Sequence, residues 1–548
     1  MSTFSTSPIA FGLLPQHILI KKGCVTMLAY YKNEEFNTAT HRPYKSPDGR
    51  YICTFEGSLV NQQKLRQKLE KTGIYTSSTC PEELILNLYH FCGDSLTEVL
   101  RGKFAIIIFD KKLRQLIAAR DRYGVRPLYY KLVASGIEIT SELVNFKPSR
   151  GCPLSELNYG SLRHYFSYGY IPENETYLKN VYHLPAGCFL KYSNNGLAIT
   201  PFADMLAIEG SKDQLVGEQL LRDVVTEGIH SRLPAEKKIG VFYTGKASEL
   251  VIATTAKQAS SEVKMFSVEF SRRQPTSKVL KELLTCFRIN ADDYWRAAEN
   301  AISVMDVPIA DPTAPIDFLS GELASKYVDV VVSADGAEIL FGTDEQGIKR
   351  LKRKKDGLIF TEAEKEQLLK FTGNPWSEIV APYIAQTSDL DRISRWQTLE
   401  LNMQIKGSTV LKKERLASYH DLDLRFPFFD DKVLDVASFL TSEEKKSMLL
   451  FKQTFAGQIS KFQKSKKVDL QKILDPHKIP LAKWIRTDLY EQIKSIFEQD
   501  IAEEFFNTDV LLKMLEQHRK GLRELSYQIW AITMFIIWVL EVRSQRSD

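Results

Sequence analysis

The chain is predicted to join an α+β first part to a parallel α/β second part that ends in helices. Three observations carry this. In the second part, short apolar stretches run into glycine-containing turns and then into helical periodicity. This happens at Lys238–Tyr243 (KIGVFY), followed by a helix from Glu249, and again at Val328–Ser333 with the turn Ala334–Ala337. Strand–turn–helix units repeated in this way build parallel sheets with helical crossovers. In the first part, strand candidates flank amphipathic helices, the order of a layered α+β domain. After Phe360 the pattern is almost wholly helical. The composition changes near Ser211, which divides the chain into domains at 1–205 and 212–548.

In chain order, Leu59–Tyr89 reads as amphipathic helices. Arg101–Asp110 (RGKFAIIIFD) is an apolar strand ending in a charged turn. Leu116–Arg120 and Arg126–Leu132 are further strands, separated by the turn Asp121–Gly124. Gly169–Thr176 (GYIPENET) and Leu184–Cys188 (LPAGC) are rich in breakers and read as turns or strand ends. Asp213–Arg232 is a long amphipathic helix. No internal repeat and no low-complexity segment stands out.

The bulk properties exclude several classes. Hydrophobic residues make up 44% of 548 and charged residues 26%, an ordinary globular balance. A net charge of +5 over this length is too mild to argue for nucleic acid. The seven cysteines, Cys24, Cys53, Cys80, Cys92, Cys152, Cys188 and Cys286, are odd in number and show no CxxC pair. A reducing cytoplasm is therefore expected, without disulfide or zinc frameworks. The first residues, MSTFSTSPIAFGLLPQ, lack the basic and apolar regions of a signal peptide. Leu525–Leu540 is uncharged between Glu524 and Glu541. It is shorter than the roughly 20 residues that a spanning helix needs, so a buried or partner-facing helix is expected rather than a membrane anchor.

Several segments follow a known order. They are Leu100–Asp110 (LRGKFAIIIFD), Arg120–Tyr130 (RDRYGVRPLYY), Gly169–Gly187, Ile239–Thr255, Met265–Phe270 (MFSVEF), Ser333–Gly342 (SADGAEILFG) and Glu414–Asp430 (ERLASYHDLDLRFPFFD). In that order and spacing the chain resembles the glutamine-hydrolysing asparagine synthetases nearly end to end. The resemblance implies an N-terminal-nucleophile-type first domain, a four-layered αββα sandwich. It implies an adenine nucleotide α-hydrolase-like second domain with a phosphate loop, a parallel sheet and a mostly helical end. ATP and Mg²⁺ are the cofactors it implies.

For the first domain the family's nucleophile is a cysteine at position 2, with its own amino group as base. This chain has Ser2, and its nearest cysteine is Cys24. The family's NGExYN motif falls on Glu56–Asn61, where Gly57 and Asn61 are kept but Glu56 replaces the oxyanion-stabilising asparagine. A carboxylate there repels a developing oxyanion. The family's substrate-binding aspartate falls at Cys80, and no RGPD arginine clamp is present. The domain is therefore expected to serve as scaffold.

In the second domain, Thr244-Gly245-Lys246-Ala247-Ser248-Glu249 stands at the family's SGGxDSS phosphate loop. Lys246 adds a Cβ where a phosphate approaches, Ser248 replaces a metal-binding aspartate, and Glu249 brings a negative charge to the start of the helix. The substitutions argue for a stable strand–helix corner. They leave open a remodelled nucleotide site in which Lys246 is the phosphate cation. Ser333 and Gly336 match the second loop, Asp335 stands near the reacting group, and Glu338 stands at the second Mg²⁺ aspartate. Arg415, His420, Arg425, Pro427 and Asp430 also match, with Asp423 in place of a glutamate. Asp335 and Asp423 are the candidate catalytic acids, although a structural Asp423–Arg425 neighbourhood is the plainer reading. Pro480 and Trp484 fit a PxxxW signature, and the lysine before it corresponds to one of Lys464, Lys466, Lys467, Lys472 or Lys478.

The expected function is thus a catalytically impaired asparagine-synthetase paralogue, acting as a partner or accessory subunit of an ATP-dependent amide-forming pathway. The expected partner is a protein, in a homo-oligomer or with an active paralogue or pathway enzyme. A divergent amide ligase or peptide or lactam cyclase that uses only the second domain is the alternative, and an ordinary asparagine synthetase the third reading.

Overall fold

The computed structural model describes residues 27–32, 35–38, 43–134, 136–146, 153–172, 174–203, 216–234, 238–260, 262–270, 278–305, 307–342, 359–373, 377–462 and 479–544. Ser2, Cys24, Cys152 and the five candidate lysines from Lys464 to Lys478 lie outside these residues.

The first part holds two antiparallel sheets. One has strands β1 (Leu28–Lys32), β2 (Glu35–Thr38), β7 (Tyr129–Val133), β8 (Gly136–Thr140) and β9 (Val181–His183), in the order β2-β1-β8-β7-β9. The other has β3 (Tyr44–Lys45), β4 (Tyr51–Leu59), β5 (Gly102–Asp110), β6 (Gln115–Arg120), β10 (Cys188–Ser193) and β11 (Gly196–Pro201), in the order β11-β10-β6-β5-β4-β3. Strand β5 explains the layering. Phe104, Ile106 and Ile108 face one core with helices α1 (Gln62–Glu70) and α2 (Pro81–Cys92), while Ala105, Ile107 and Phe109 face the core between the sheets. A strand buried on both faces reads as the continuous apolar run seen in the sequence. The outer face of the first sheet is covered by α3 (Tyr159–Tyr168) and by helices from the chain's end, completing the αββα arrangement.

The second part is built on one parallel sheet, ordered β14-β13-β12-β15-β16. Its strands are β12 (Ile239–Phe242), β13 (Val263–Glu269), β14 (Leu284–Arg288), β15 (Val330–Val332) and β16 (Asp423–Arg425). Helices α4 (Glu218–His230), α5 (Ala247–Ala259), α6 (Ala291–Val304), α7 (Ala314–Ser325) and α8 (Ala337–Phe341) accompany it, followed by a mostly helical stretch that includes α9 (Val410–Tyr419) and α10 (Ser526–Ser544). The chain enters at the central strand β12, goes out to β13 and β14, and returns to the other side at β15. That reversal is a topological switch point, where open α/β sheets place ligands outside the carboxyl ends of the strands.

Three differences from expectation have clear causes. The strand predicted from Arg126 begins at Tyr129. Asp121 takes the backbone N–H groups of Tyr123, Val125 and Arg126 into its carboxylate, which holds the turn open. Pro127 cannot donate to a ladder. Of the helix predicted at Asp213–Arg232, Glu218–His230 is helical, and residues 213–215 lie outside the described residues. Strands β14 and β16 have no sequence signal because neither is an apolar run: β14 (LTCFR) lies at the sheet edge with Cys286, Phe287 and Arg288 exposed, and in β16 (DLR) only Leu424 is buried.

The uncharged segment near the end becomes α10. Ile529, Trp530, Ala531, Ile532, Phe535 and Trp538 are buried, and the Tyr165 hydroxyl donates to the carbonyl of Ala531 at 2.8 Å. A helix apolar all round is one packed on all sides. No helix among the described residues is long and apolar enough to cross a membrane.

Candidate functional site

Both candidate loops lie at the switch point. The first leaves β12, and the Tyr243 N–H donates to the Phe266 carbonyl, anchoring its start. The chain then turns so that three successive amides converge. The N–H groups of Thr244, Gly245 and Lys246 all donate to Oε2 of Glu249, at 2.8, 3.0 and 2.9 Å. The Thr244 hydroxyl donates to Oε1 at 2.5 Å. Such a nest at a helix N-terminus is a ready anion site. Here the anion comes from the chain itself, one turn into α5. Glu249 is 4% exposed. Burial pushes its carboxyl above the usual range, and the Lys246 ammonium is the largest opposing influence.

The second loop leaves β15, and the Ser333 N–H donates to the Arg425 carbonyl. Asp335 accepts from the Ser333 hydroxyl and, at 2.7 Å, from the Lys413 ammonium on α9. Burial works against its ionisation, but Lys413 and then Lys246 hold its pKa down at about 2. Gly336 starts α8 at φ +94°, and a Cβ there would come within 2.6 Å of the Phe429 ring. Glu338, in the first turn of α8, joins the loops. Its oxygens accept from the Ser248 hydroxyl at 2.8 Å and from the Lys246 ammonium at 3.2 Å.

Thr244, Gly245, Lys246, Ser248, Ser333, Asp335, Gly336 and Glu338 are therefore gathered at the carboxyl ends of β12 and β15. Asp423 is not among them. It starts β16, level with Val330, the first residue of β15. Its carboxylate bridges Lys103 of the first part at 2.9 Å and Arg425 at 2.8 Å. The structural Asp423–Arg425 neighbourhood is what the geometry displays, and Asp335 stands without the second acid the sequence assigned to it.

The donor set does not fit the cofactors that the resemblance implies. A Mg²⁺ ion needs several hard oxygen ligands. Glu338 instead faces an ammonium and a hydroxyl, and the described residues contain no group of three or more acids, histidines or cysteines that could hold a metal. A triphosphate needs the amide nest that Glu249 fills.

In the first part, the surviving residues have structural work. Gly57 is strained toward positive φ, +136°, and a Cβ would come within 2.1 Å of the Lys103 carbonyl on β5. Only glycine permits that approach. Asn61 donates from Nδ2 to the Val99 carbonyl at 2.9 Å and accepts from the Arg101 N–H at 3.1 Å. Glu56 is neutralised by Arg126 at 2.9 Å.

Sequence reasoning missed Lys412 and Lys413. Lys412 is buried and pairs with Asp311 at 2.5 Å and Asp317 at 2.7 Å. The one signal was their place directly before the matching stretch that starts at Glu414, since a lysine pair on a helix otherwise reads as a solvated face.

Comparison with known proteins follows the same division. Residues 34–203 match the glutamine amidotransferase domain family, and residues 220–540 match the asparagine synthase family. Among curated proteins, asparagine synthetase [glutamine-hydrolyzing] 1 of Bacillus subtilis is 25% identical, over 91% of this chain and 86% of its own length. A putative asparagine synthetase [glutamine-hydrolyzing] of Mycobacterium bovis is 24% identical, over 90% of this chain and 85% of its own length.

Proposed function

We propose that this chain, which belongs to the asparagine synthase family and carries both of its domains, is a catalytically impaired member that acts as partner or accessory subunit in an ATP-dependent amide-forming pathway of the cytoplasm. One observation carries the reading. The two charges that a nucleotide would bring are replaced by charges of the chain. The Glu249 carboxylate sits in the amide nest in place of a phosphate, and the Lys246 ammonium sits on Glu338 in place of a metal ion. Opening the loop to a ligand means stripping Glu249 of four hydrogen bonds and leaving a buried carboxylate uncompensated.

The paired Asp335 and Lys413 favour a second reading, a divergent amide ligase that uses the second domain alone. An ionised acid and a lysine at the switch point are reactive equipment that a pure scaffold has no need to keep.

Calorimetric titration with MgATP, together with a pyrophosphate-release assay, separates these. The full-length chain is expected to give no binding heat and no pyrophosphate. The triple variant Lys246→Gly, Ser248→Asp, Glu249→Ser, which clears the nest and returns an oxygen ligand, is expected to bind MgATP. Micromolar binding and carboxylate-dependent pyrophosphate release by the unaltered chain would sink the impaired reading in favour of the ligase. Aspartate as the effective carboxylate would point to an ordinary asparagine synthetase.

A further inference from the structure

A line of buried charges crosses between the two parts of the chain. It starts on β4, at the position where the family carries its oxyanion-stabilising residue. Glu56 Oε1 accepts from one terminal nitrogen of Arg126 at 2.9 Å. The other terminal nitrogen of Arg126 reaches Glu414 Oε1, on α9, at 2.9 Å. That same oxygen accepts from the Lys103 ammonium of β5 at 2.8 Å. Lys103 goes on to Asp423 at 2.9 Å and to the Leu424 carbonyl at 2.9 Å, and Asp423 closes on Arg425. Side chains at the centre are almost fully buried, 8% exposed for Lys103 and 2% for Glu414. A parallel link joins Arg415, the next residue of α9, to Glu142 of the first part at 3.1 Å.

The order along α9 matters. Lys412 and Lys413 immediately precede Glu414, and Lys413 holds Asp335. Anything that fixes Glu414 also fixes the turn of helix that presents these lysines to the candidate site. In a buried network each member's geometry depends on the others, and loss of one charge leaves the next uncompensated.

We infer that the remnant of the first domain's site has become the anchor that sets α9, so that Glu56 acts across the interface as a positioning residue for the Lys413–Asp335 pair. The first domain then has a role in the second domain's site without any chemistry of its own. This inference stands apart from whether that site binds a nucleotide.

Amide hydrogen exchange on the full-length chain tests it. Glu56→Gln keeps the shape and removes the charge. It is expected to raise exchange by about tenfold or more in Val410–Tyr419 and Asp423–Arg425, far from it in sequence. Arg50→Gln, which breaks the Arg50–Asp110 pair inside the first part, is expected to raise exchange only near its own strands. In an Arg126→Gln background, Glu56→Gln is expected to add nothing further in α9, because the link is already cut. Unchanged exchange in α9 with Glu56→Gln, an equal rise with Arg50→Gln, or additive effects of the Glu56 and Arg126 variants would each overturn the inference. Should Glu56→Gln fail to fold, Glu56→Asp, which keeps the charge but shortens the reach, gives the same comparison.

Discussion

Lys412→Met is expected to destabilise the chain by about 3–5 kcal/mol in denaturant unfolding at neutral pH. The side chain of Lys412 is 1% exposed, and its ammonium lies between Asp311 at 2.5 Å and Asp317 at 2.7 Å, with the Thr313 hydroxyl at 2.7 Å. Burial alone pulls its pKa down, yet Asp311 and Asp317 more than reverse this. Methionine fills much of the same volume, so little packing is lost. What remains is Asp311 without its cation and Asp317 with only Lys413, 3.8 Å away, in a partly buried place, and that drives the penalty. Lys432→Met is the natural comparison. Lys432 pairs with Glu227 at 2.7 Å, but the two side chains are 59% and 58% exposed, and such a pair is worth less than about 1 kcal/mol. Similar losses for both variants would mean that the α9 lysines are solvated, contrary to the structure.

The contrast between those two lysines also marks what the sequence could reveal. Lys412 and Lys432 are the same residue type in charged surroundings, and nothing local distinguishes the buried one. Its burial follows from α9 packing against the start of α7, where Asp311, Thr313 and Asp317 surround the ammonium, a long-range fact. By contrast, Phe104–Phe109 and Ile239–Phe242 were legible, because a strand buried on both faces leaves an uninterrupted apolar run. The two loops were legible for a related reason, since each directly follows such a strand at a glycine. Glu249 is the intermediate case. Its charge at the start of α5 already argued against a phosphate there. That its carboxylate turns back to gather the amides of Thr244, Gly245 and Lys246 could be drawn only from the geometry. Asp423 was open to two readings in the sequence. Its place in a matching motif suggested a catalytic acid, while its partners Lys103 and Arg425 are an interface cation and a strand neighbour. Motif position records descent, and it was the contacts that separated Asp423 from Asp335.

Acid should expose the ion pairs of Asp335 and Asp423 directly. Asp335 and Asp423 are both held at about 2, against burial, by Lys413 and Lys103 respectively as the largest favourable influences. An aspartate in the unfolded chain titrates near pH 4, so between about pH 4 and pH 2 the unfolded state binds protons that the folded state does not. Stability therefore rises with pH through that window. The contribution is fully present above pH 4 and is lost as pH falls through 2. It amounts to about 2 kcal/mol for each aspartate, or about 4 kcal/mol together. Urea unfolding measured at intervals across the window is expected to show that slope. In Lys413→Met, Asp335 loses the stronger of the two cations that hold it, Lys246 remaining, and its pKa moves up toward that of the unfolded chain. The variant is then less stable at neutral pH, yet its stability falls less steeply from pH 4 to pH 2. Lys103→Met is expected to do the same through Asp423, and the two variants together to remove the share of the slope that these two aspartates supply, leaving that of other carboxylates held low, such as Asp110, Asp311 and Asp391. A variant whose curve merely shifts down, parallel to the parent, would show that these lysines stabilise the fold by packing and not by holding the acids ionised.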